Sequence, residues 1–152
     1  MDRRAIVFGA RTFLGDRIVG HLIDAGIDPI QADLDTGAGL DHINVDGKIV
    51  YYLAPPPGEG ETDSRMQHFI EAVGDQRPDR LVYISTSGVY GDCGGAWVNE
   101  DWPAKPYAGR AIRRWDAEQQ LISWAQERGF PLMRLRVGGI YALDRLPVAR
   151  IK

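Results

Sequence analysis

The sequence predicts an α/β fold: a doubly wound, mostly parallel sheet of about five strands with helices on its faces. Three observations carry this expectation. Short apolar runs alternate along the chain with segments of helical period. A glycine-bearing turn joins the first run to the first helix. The segments that follow the runs are rich in Gly, Ser, Pro or Asp. Strands alternating with helices imply right-handed crossovers, and these make the sheet parallel and cover both of its faces. In such sheets ligands bind beyond the carboxyl ends of the strands.

The elements follow in order. Ala5-Ile6-Val7-Phe8 is a continuous apolar run, as expected of a strand buried on both faces. Gly9–Thr12 forms a turn, and Leu14, Ile18, Leu22 and Ile23 then recur at helical spacing over a helix from Phe13 to Ala25, which Gly26 ends. Pro29–Ala32 is a short second strand finishing at Asp33, and residues 35–46 carry no clear element. Lys48–Ala54 is the third strand, stopped by Pro55-Pro56-Pro57. Thr62 or Asp63 caps a helix through Val73, with Met66, Phe69, Ile70 and Val73 on one face. Arg80–Thr86 is the fourth strand. A loop rich in glycine and acid leads to a helix that opens at Tyr107 and continues to Arg128, and Pro131–Val137 is the fifth strand.

Composition narrows the function classes. A length of 152 residues is that of one domain, 1–152, with a core of its own. A content of 44% hydrophobic and 26% charged residues is that of an ordinary soluble globule. No apolar run approaches the roughly 18–20 residues a membrane span needs. The amino terminus, MDRRAIVFGA, has too short an apolar stretch for a signal peptide. The single cysteine, Cys93, rules out an internal disulfide and fits a reducing cytoplasm. A net charge of −3 gives no reason to expect nucleic acid as a partner, and His21, His42 and His68 show no metal-ligand spacing.

The most informative short stretch is FGARTFLG. Gly9 permits a tight turn at the strand end, and Gly15 lets the helix pack close to the strand. Arg11 lies in the turn, and the amides of Thr12, Phe13 and Leu14 fall at the positive end of a helix, where a diphosphate is favoured. Asp33 ends the next strand, where a carboxylate accepts bonds from an adenosine ribose. The middle glycine of the usual dinucleotide pattern is Thr12 here; its side chain limits how near the backbone comes to the phosphates, while its hydroxyl is able to donate to one. These residues predict a Rossmann-like nucleotide site.

GARTFLG, YISTSGVYGD with the following VNEDWPAKP, and AEQQL with LRVGGIYA together resemble the extended short-chain dehydrogenase/reductase family, the NAD-dependent epimerase/dehydratase family, in an atypical form marked by LAPPP and STSGVYGDCGGAW. The resemblance implies NAD(P) along the sheet edge and a Ser/Thr, a Tyr and a Lys acting together on a hydroxyl- or carbonyl-bearing small molecule. It puts the hydroxyl at Thr86, with Ser85 beside it as a cofactor contact, and adds Leu53, Ala54 and Pro55 at the end of the third strand to the cofactor-binding set. The family's Tyr and Lys positions, counted from Pro106 and from Glu118, fall on Arg110 and Arg114.

An arginine stays protonated and has no proton to exchange, so it cannot replace the tyrosine, although its planar fork suits an anion. Tyr107, Tyr90 and Tyr141 are candidates for a displaced acid, and the spacing does not choose among them. Arg114 and Glu118, four apart, also fit an ion pair on an exposed helix face. The segment between Asp33 and Lys48 is shorter than the family's, as if one strand–helix unit were lost, so IQADLD fits either the second strand or the third. Arg11 favours NADP and Asp33 favours NAD. The family's substrate-binding portion lies largely beyond Lys152. Two functions stay open: an oxidoreductase or epimerase of this type, or a non-catalytic dinucleotide-binding or regulatory module lacking the Tyr/Lys pair. An exposed sheet edge predicts a homodimer.

Overall fold

The computed structural model describes residues 4–32, 34 and 43–148. Its five strands are β1 (Ala5–Phe8), β2 (Ile30–Ala32), β3 (Ile49–Tyr52), β4 (Arg80–Thr86) and β5 (Leu132–Val137). They form one sheet in the order β2-β1-β3-β4-β5, with every pairing parallel. Helix α1 spans Phe13–Asp24, α2 Ser64–Val73 and α3 Gly109–Arg128, and Ser87–Tyr90 form a 3-10 turn that the sequence reading did not foresee. This is the doubly wound, Rossmann-like sheet expected.

The core divides across the sheet. Val7, Leu53 and Ile84 pack with Leu14, Ile18, Val19 and Leu22 of α1 on one face. Phe8, Tyr52, Phe69, Tyr83, Leu121 and Trp124 pack on the other, under α2 and α3. The Phe8 and Phe69 rings meet edge-on with centroids 4.7 Å apart, an arrangement aromatic quadrupoles favour.

Local chemistry sets the boundaries. In α1, the Gly26 amide donates to Ile23 O and the Ile27 amide to Leu22 O, a glycine-terminated end that uses up the last carbonyls. The structure moves the start of α3 from Tyr107 to Gly109: Ala108 is extended (φ −82°, ψ 135°), and Tyr107 lies outside the helix and 76% exposed. β2 stands directly beside β1, with Ile6 opposite Ile30. That is the place of the second strand in a dinucleotide-binding sheet of order 3-2-1-4-5-6, so IQADLD supplies the second strand rather than the third.

Asp63 ties α2 to α3. Its Oδ1 accepts from the Met66 amide at 3.0 Å, capping α2, and its own amide donates to Asp116 Oδ2 at 2.8 Å. Burial pushes its carboxyl above the usual range, against opposing pulls from the Met66 amide and the Arg114 charge. A raised folded-state pKa means that the folded chain binds this proton more tightly. Stability from this group is therefore greatest at low pH and falls as pH rises from the unfolded value of about 4 through the folded one. Asp63→Asn keeps an oxygen for the Met66 amide. The variant is expected to be the more stable at neutral pH and to lose that advantage on acidification, as urea denaturation at a series of pH values will show. A difference that does not vary with pH would refute this account.

Candidate functional site

The turn after β1 is built by close backbone contacts. Gly9 adopts φ +81°, and a Cβ there would fall 2.7 Å from the Ala54 amide nitrogen, so the turn passes hard against the end of β3. A Cβ on Gly15 would overlap the Gly9 carbonyl oxygen and lie 2.9 Å from Ala10. Only a glycine lets the first turn of α1 sit this close to the strand end. Thr12 caps the helix: its Oγ1 donates to Gly9 O at 2.7 Å and accepts from the Gly15 amide at 3.1 Å. Its hydroxyl is thus engaged inside the turn instead of reaching outward, and the Thr12 amide also donates to Gly9 O. The Phe13 and Leu14 amides, in the first helical turn, have no intrahelical acceptor and remain for an anion.

A groove runs from this turn along the carboxyl edge of the sheet in three adjoining sections. The first, of about 230 Å³, is lined by Gly9–Thr12, Leu34, Ala54, Pro55 and Arg65. The second, of about 260 Å³, is lined by Thr12–Leu14, Leu53, Pro55, Ile84, Arg110, Arg114, Ile140 and Arg145. The third, of about 450 Å³, is lined by Ile84–Thr86, Arg110, Arg114, residues 137–140 and residues 145–147. Five arginines (Arg11, Arg65, Arg110, Arg114 and Arg145) line these sections, and no carboxylate does so among the described residues. On a chain of net charge −3 this is a local concentration of positive charge.

The arginines on α3 have separate duties. Arg113, buried, donates to Gly60 O at 2.7 Å and anchors the loop before α2. Arg114, 6% exposed, donates through Nη1 to Ile84 O (2.7 Å), Tyr83 Oη (3.2 Å) and Ala54 O (3.4 Å). It thereby joins the ends of β3 and β4. Arg110 is exposed and faces the groove. The exposed Arg114–Glu118 pair that the spacing also allowed does not form. Glu118 is fully buried and accepts from Ser85 Oγ (2.5 Å), Arg134 Nη1 (2.9 Å) and Arg136 Nη2 (2.8 Å).

The expected site residues are therefore only partly brought together. Leu53, Ala54, Pro55, Thr86, Arg110 and Arg114 line the groove together with the turn residues. Ser85 contributes to the wall, but its hydroxyl is held by Glu118 and turned into the α3–β5 packing. Thr86 Oγ1 accepts from the Gly88 amide at 3.1 Å, which leaves its proton available for a ligand. Asp33 lies outside the described residues.

None of the three candidate displaced acids lines the groove. Tyr107 and Tyr141 are 76% and 73% exposed, and Tyr90 is covered by the Arg136 guanidinium, 4.8 Å from its ring. The tyrosine near Arg114 is Tyr83, whose burial pushes its phenol up to about 12 against the pull of Arg114. Its phenol therefore keeps its proton near neutral pH.

Two contributors escaped the sequence reading. Arg145 faces the groove because the loop after β5 folds back onto α1: Asp144 binds Arg17 at 2.9 Å, and Arg145 and Arg17 stack on the Phe13 ring at 4.6 and 3.8 Å. Arg65 reaches the groove from α2 and donates to Pro55 O at 3.0 Å. No local motif marks either.

No protein-family model matches the chain. No curated protein matches it either. Among solved structures, the UDP-glucuronic acid 4-epimerase from Bacillus cereus in complex with NAD is similar with a TM-score of 0.75 and 22% identity over 91% of this chain. MoeE5 in complex with UDP-glucose and NAD is similar with a TM-score of 0.77 and 22% identity over 97%. A short-chain dehydrogenase/reductase superfamily protein from Agrobacterium tumefaciens with bound NAD gives 0.70 and 18% over 87%. The chain spans 56%, 57% and 48% of those three chains. At these identities the likeness is one of fold.

The glycine contact is directly testable. Gly15→Ala is expected to cost about 1–3 kcal/mol, the range for overpacking a well-filled site, and to lower the urea midpoint. A variant as stable as the parent would mean that α1 does not sit this close to the turn.

Proposed function

We propose that the groove binds NAD or NADP and that the chain is the cofactor-binding part of an oxidoreductase- or epimerase-like protein acting on a hydroxyl- or carbonyl-bearing small molecule. The observation that carries this is the Gly9–Gly15 cradle. Two positions where a Cβ would collide with backbone bring the Phe13 and Leu14 amides to the mouth of an arginine-lined groove. That donor set fits a diphosphate, which needs close backbone approach, amide donors and positive charge. The same fold carries NAD in the B. cereus epimerase and in the A. tumefaciens protein.

Each residue has a physical task. The Phe13 and Leu14 amides hold phosphate oxygens, Leu53, Ala54 and Pro55 form the wall, and Arg11 and Arg65 flank the outer end. Asp33, placed by sequence just after β2, accepts from the adenosine ribose. When bound, the cofactor would supply hydride chemistry. Thr86 donates its hydroxyl proton to a substrate oxygen and orients it. Arg114 keeps its charge at any working pH and contributes fixed positive potential, not a proton.

A second reading, a module that binds the dinucleotide without turnover, is favoured by one feature: among the described residues no tyrosine lines the groove, and arginines stand at both family positions. The outer edges of β2 and β5, unpaired among the described residues, support a homodimer, for which light scattering should give twice the chain mass.

Titrating NADH and NADPH separately, followed by nicotinamide fluorescence, is expected to show saturable binding of at least one. Binding of neither would overturn both readings. Asp33→Ala is expected to weaken the preference for NADH over NADPH, and an unchanged ratio would remove Asp33 from the ribose. Hydride exchange with a panel of sugars and ketones separates the readings: turnover that Thr86→Val abolishes supports the first, and no turnover with intact binding supports the second.

A further inference from the structure

We propose that Thr86, Arg110 and Arg145 frame a subsite for the oxyanion of a second, small ligand, one bearing a carboxylate or a phosphate monoester. The subsite takes from the dinucleotide reading only the identity of its neighbour.

Charge is the first argument. Arg110 makes no hydrogen bond or ion pair with another described residue. The described side-chain contact of Arg145 is the Phe13 ring, and the acid beside it in sequence, Asp144, is occupied by Arg17 at 2.9 Å. Both guanidinium groups line the 450 Å³ section with no carboxylate among its described residues, and Arg114 adds a third positive charge from the wall. Like charges gathered around one cavity repel, and an anion between them removes that cost. Arg114 itself is held by two oxygens of β4 and by the Ala54 carbonyl just past β3, which leaves Arg110 and Arg145 as the adaptable pair.

Position is the second argument. The 450 Å³ section is lined by Thr86, Gly138 and Gly139 but by none of Gly9–Leu14, so it extends past the amides proposed to hold the diphosphate. A ligand there needs its own source of negative charge. Planar guanidinium forks match the paired oxygens of a carboxylate or phosphate, and the Thr86 hydroxyl proton, left available by the Gly88 contact, supplies a further donor. Ile84, Ile140 and Leu146 complete the wall with apolar surface, which suits a ligand with an anionic head and a short carbon body.

Calorimetric titration of the full chain, with and without saturating NADH, tests this. The probes are malate, glycerol 3-phosphate and inorganic phosphate, with glycerol as the uncharged control. One-site binding of malate or glycerol 3-phosphate is expected, with no saturable heat from glycerol. The malate and glycerol 3-phosphate arms tell a carboxylate from a phosphate ester, and inorganic phosphate tells an ester from a bare ion. Arg110→Gln and Arg145→Gln, both at exposed positions, should each weaken the anion about tenfold or more, the size of a charge-assisted contact. NADH affinity should fall by a smaller factor than anion affinity, since Arg110 and Arg145 also line the section that opens at the Phe13 and Leu14 amides.

Absence of saturable anion binding would overturn the subsite, as would equal binding of glycerol or variants that leave anion affinity unmoved. A loss of NADH affinity as large as the loss of anion affinity would also overturn it, because the arginines would then serve the diphosphate alone. If neither NADH nor NADPH binds, the dinucleotide reading falls, and the titrations without NADH still decide the subsite.

Discussion

The seat of α1 on the turn after β1 governs the rest of the site. Gly9 passes so near Ala54, and Gly15 so near Gly9, that neither position has room for a side chain. This places the amino end of α1 at the edge of the sheet, and the Thr12 hydroxyl locks it by bonding at once to Gly9 and Gly15. A helix end buried this way leaves amides that need partners. The groove begins where those amides open, and Phe13, held between Arg17 and Arg145, draws the loop after β5 over the same place.

Two buried ionic groups then fix the opposite wall. Burying a guanidinium costs several kcal/mol unless its donors find partners, and Arg114 Nη1 finds them in the Ala54 and Ile84 carbonyls and the Tyr83 hydroxyl. Glu118, one turn on, gathers Ser85, Arg134 and Arg136 from β4 and β5. The first group pins α3 to β3 and β4, and the second pins it to β4 and β5. Arg110, in the first turn of α3, is carried to the groove by a helix secured at two points farther along. The position of its exposed charge follows from contacts it does not make itself.

The fold was legible because it rests on periodicity and on glycine. The apolar runs that become β1, β4 and β5 and the helical spacing of Leu14, Ile18 and Leu22 are local signals, and the parallel sheet follows from their alternation. Boundaries were less legible where no side chain marks them: Ala108 starts α3 without a side-chain cap, so nothing in the sequence moved the start from Tyr107 to Gly109. The site was half legible. Gly9 and Thr86 stand at strand ends and Gly15 in the first turn of α1, and all three are visible as such. Ser85 and Glu118 were visible as residues but not as partners, since their contact joins positions 33 apart. Arg145 could not be found at all, because its place depends on how the loop after β5 returns to α1.

What distinguishes this groove chemically is that its charges are fixed. A tyrosine next to a lysine can give up and recover a proton because each lowers the cost of the other's change of state. An arginine at either position holds its proton throughout, so the pair Arg110 and Arg114 supplies potential without a cycle. Fixed potential stabilises an anion whether it is bound or forming, and it does so with little dependence on pH. The groove is thus suited first to holding negative charge in a set orientation. Any transfer of a proton within it has to come from a group that still has one to give, and among the described residues lining the third section that group is the hydroxyl of Thr86.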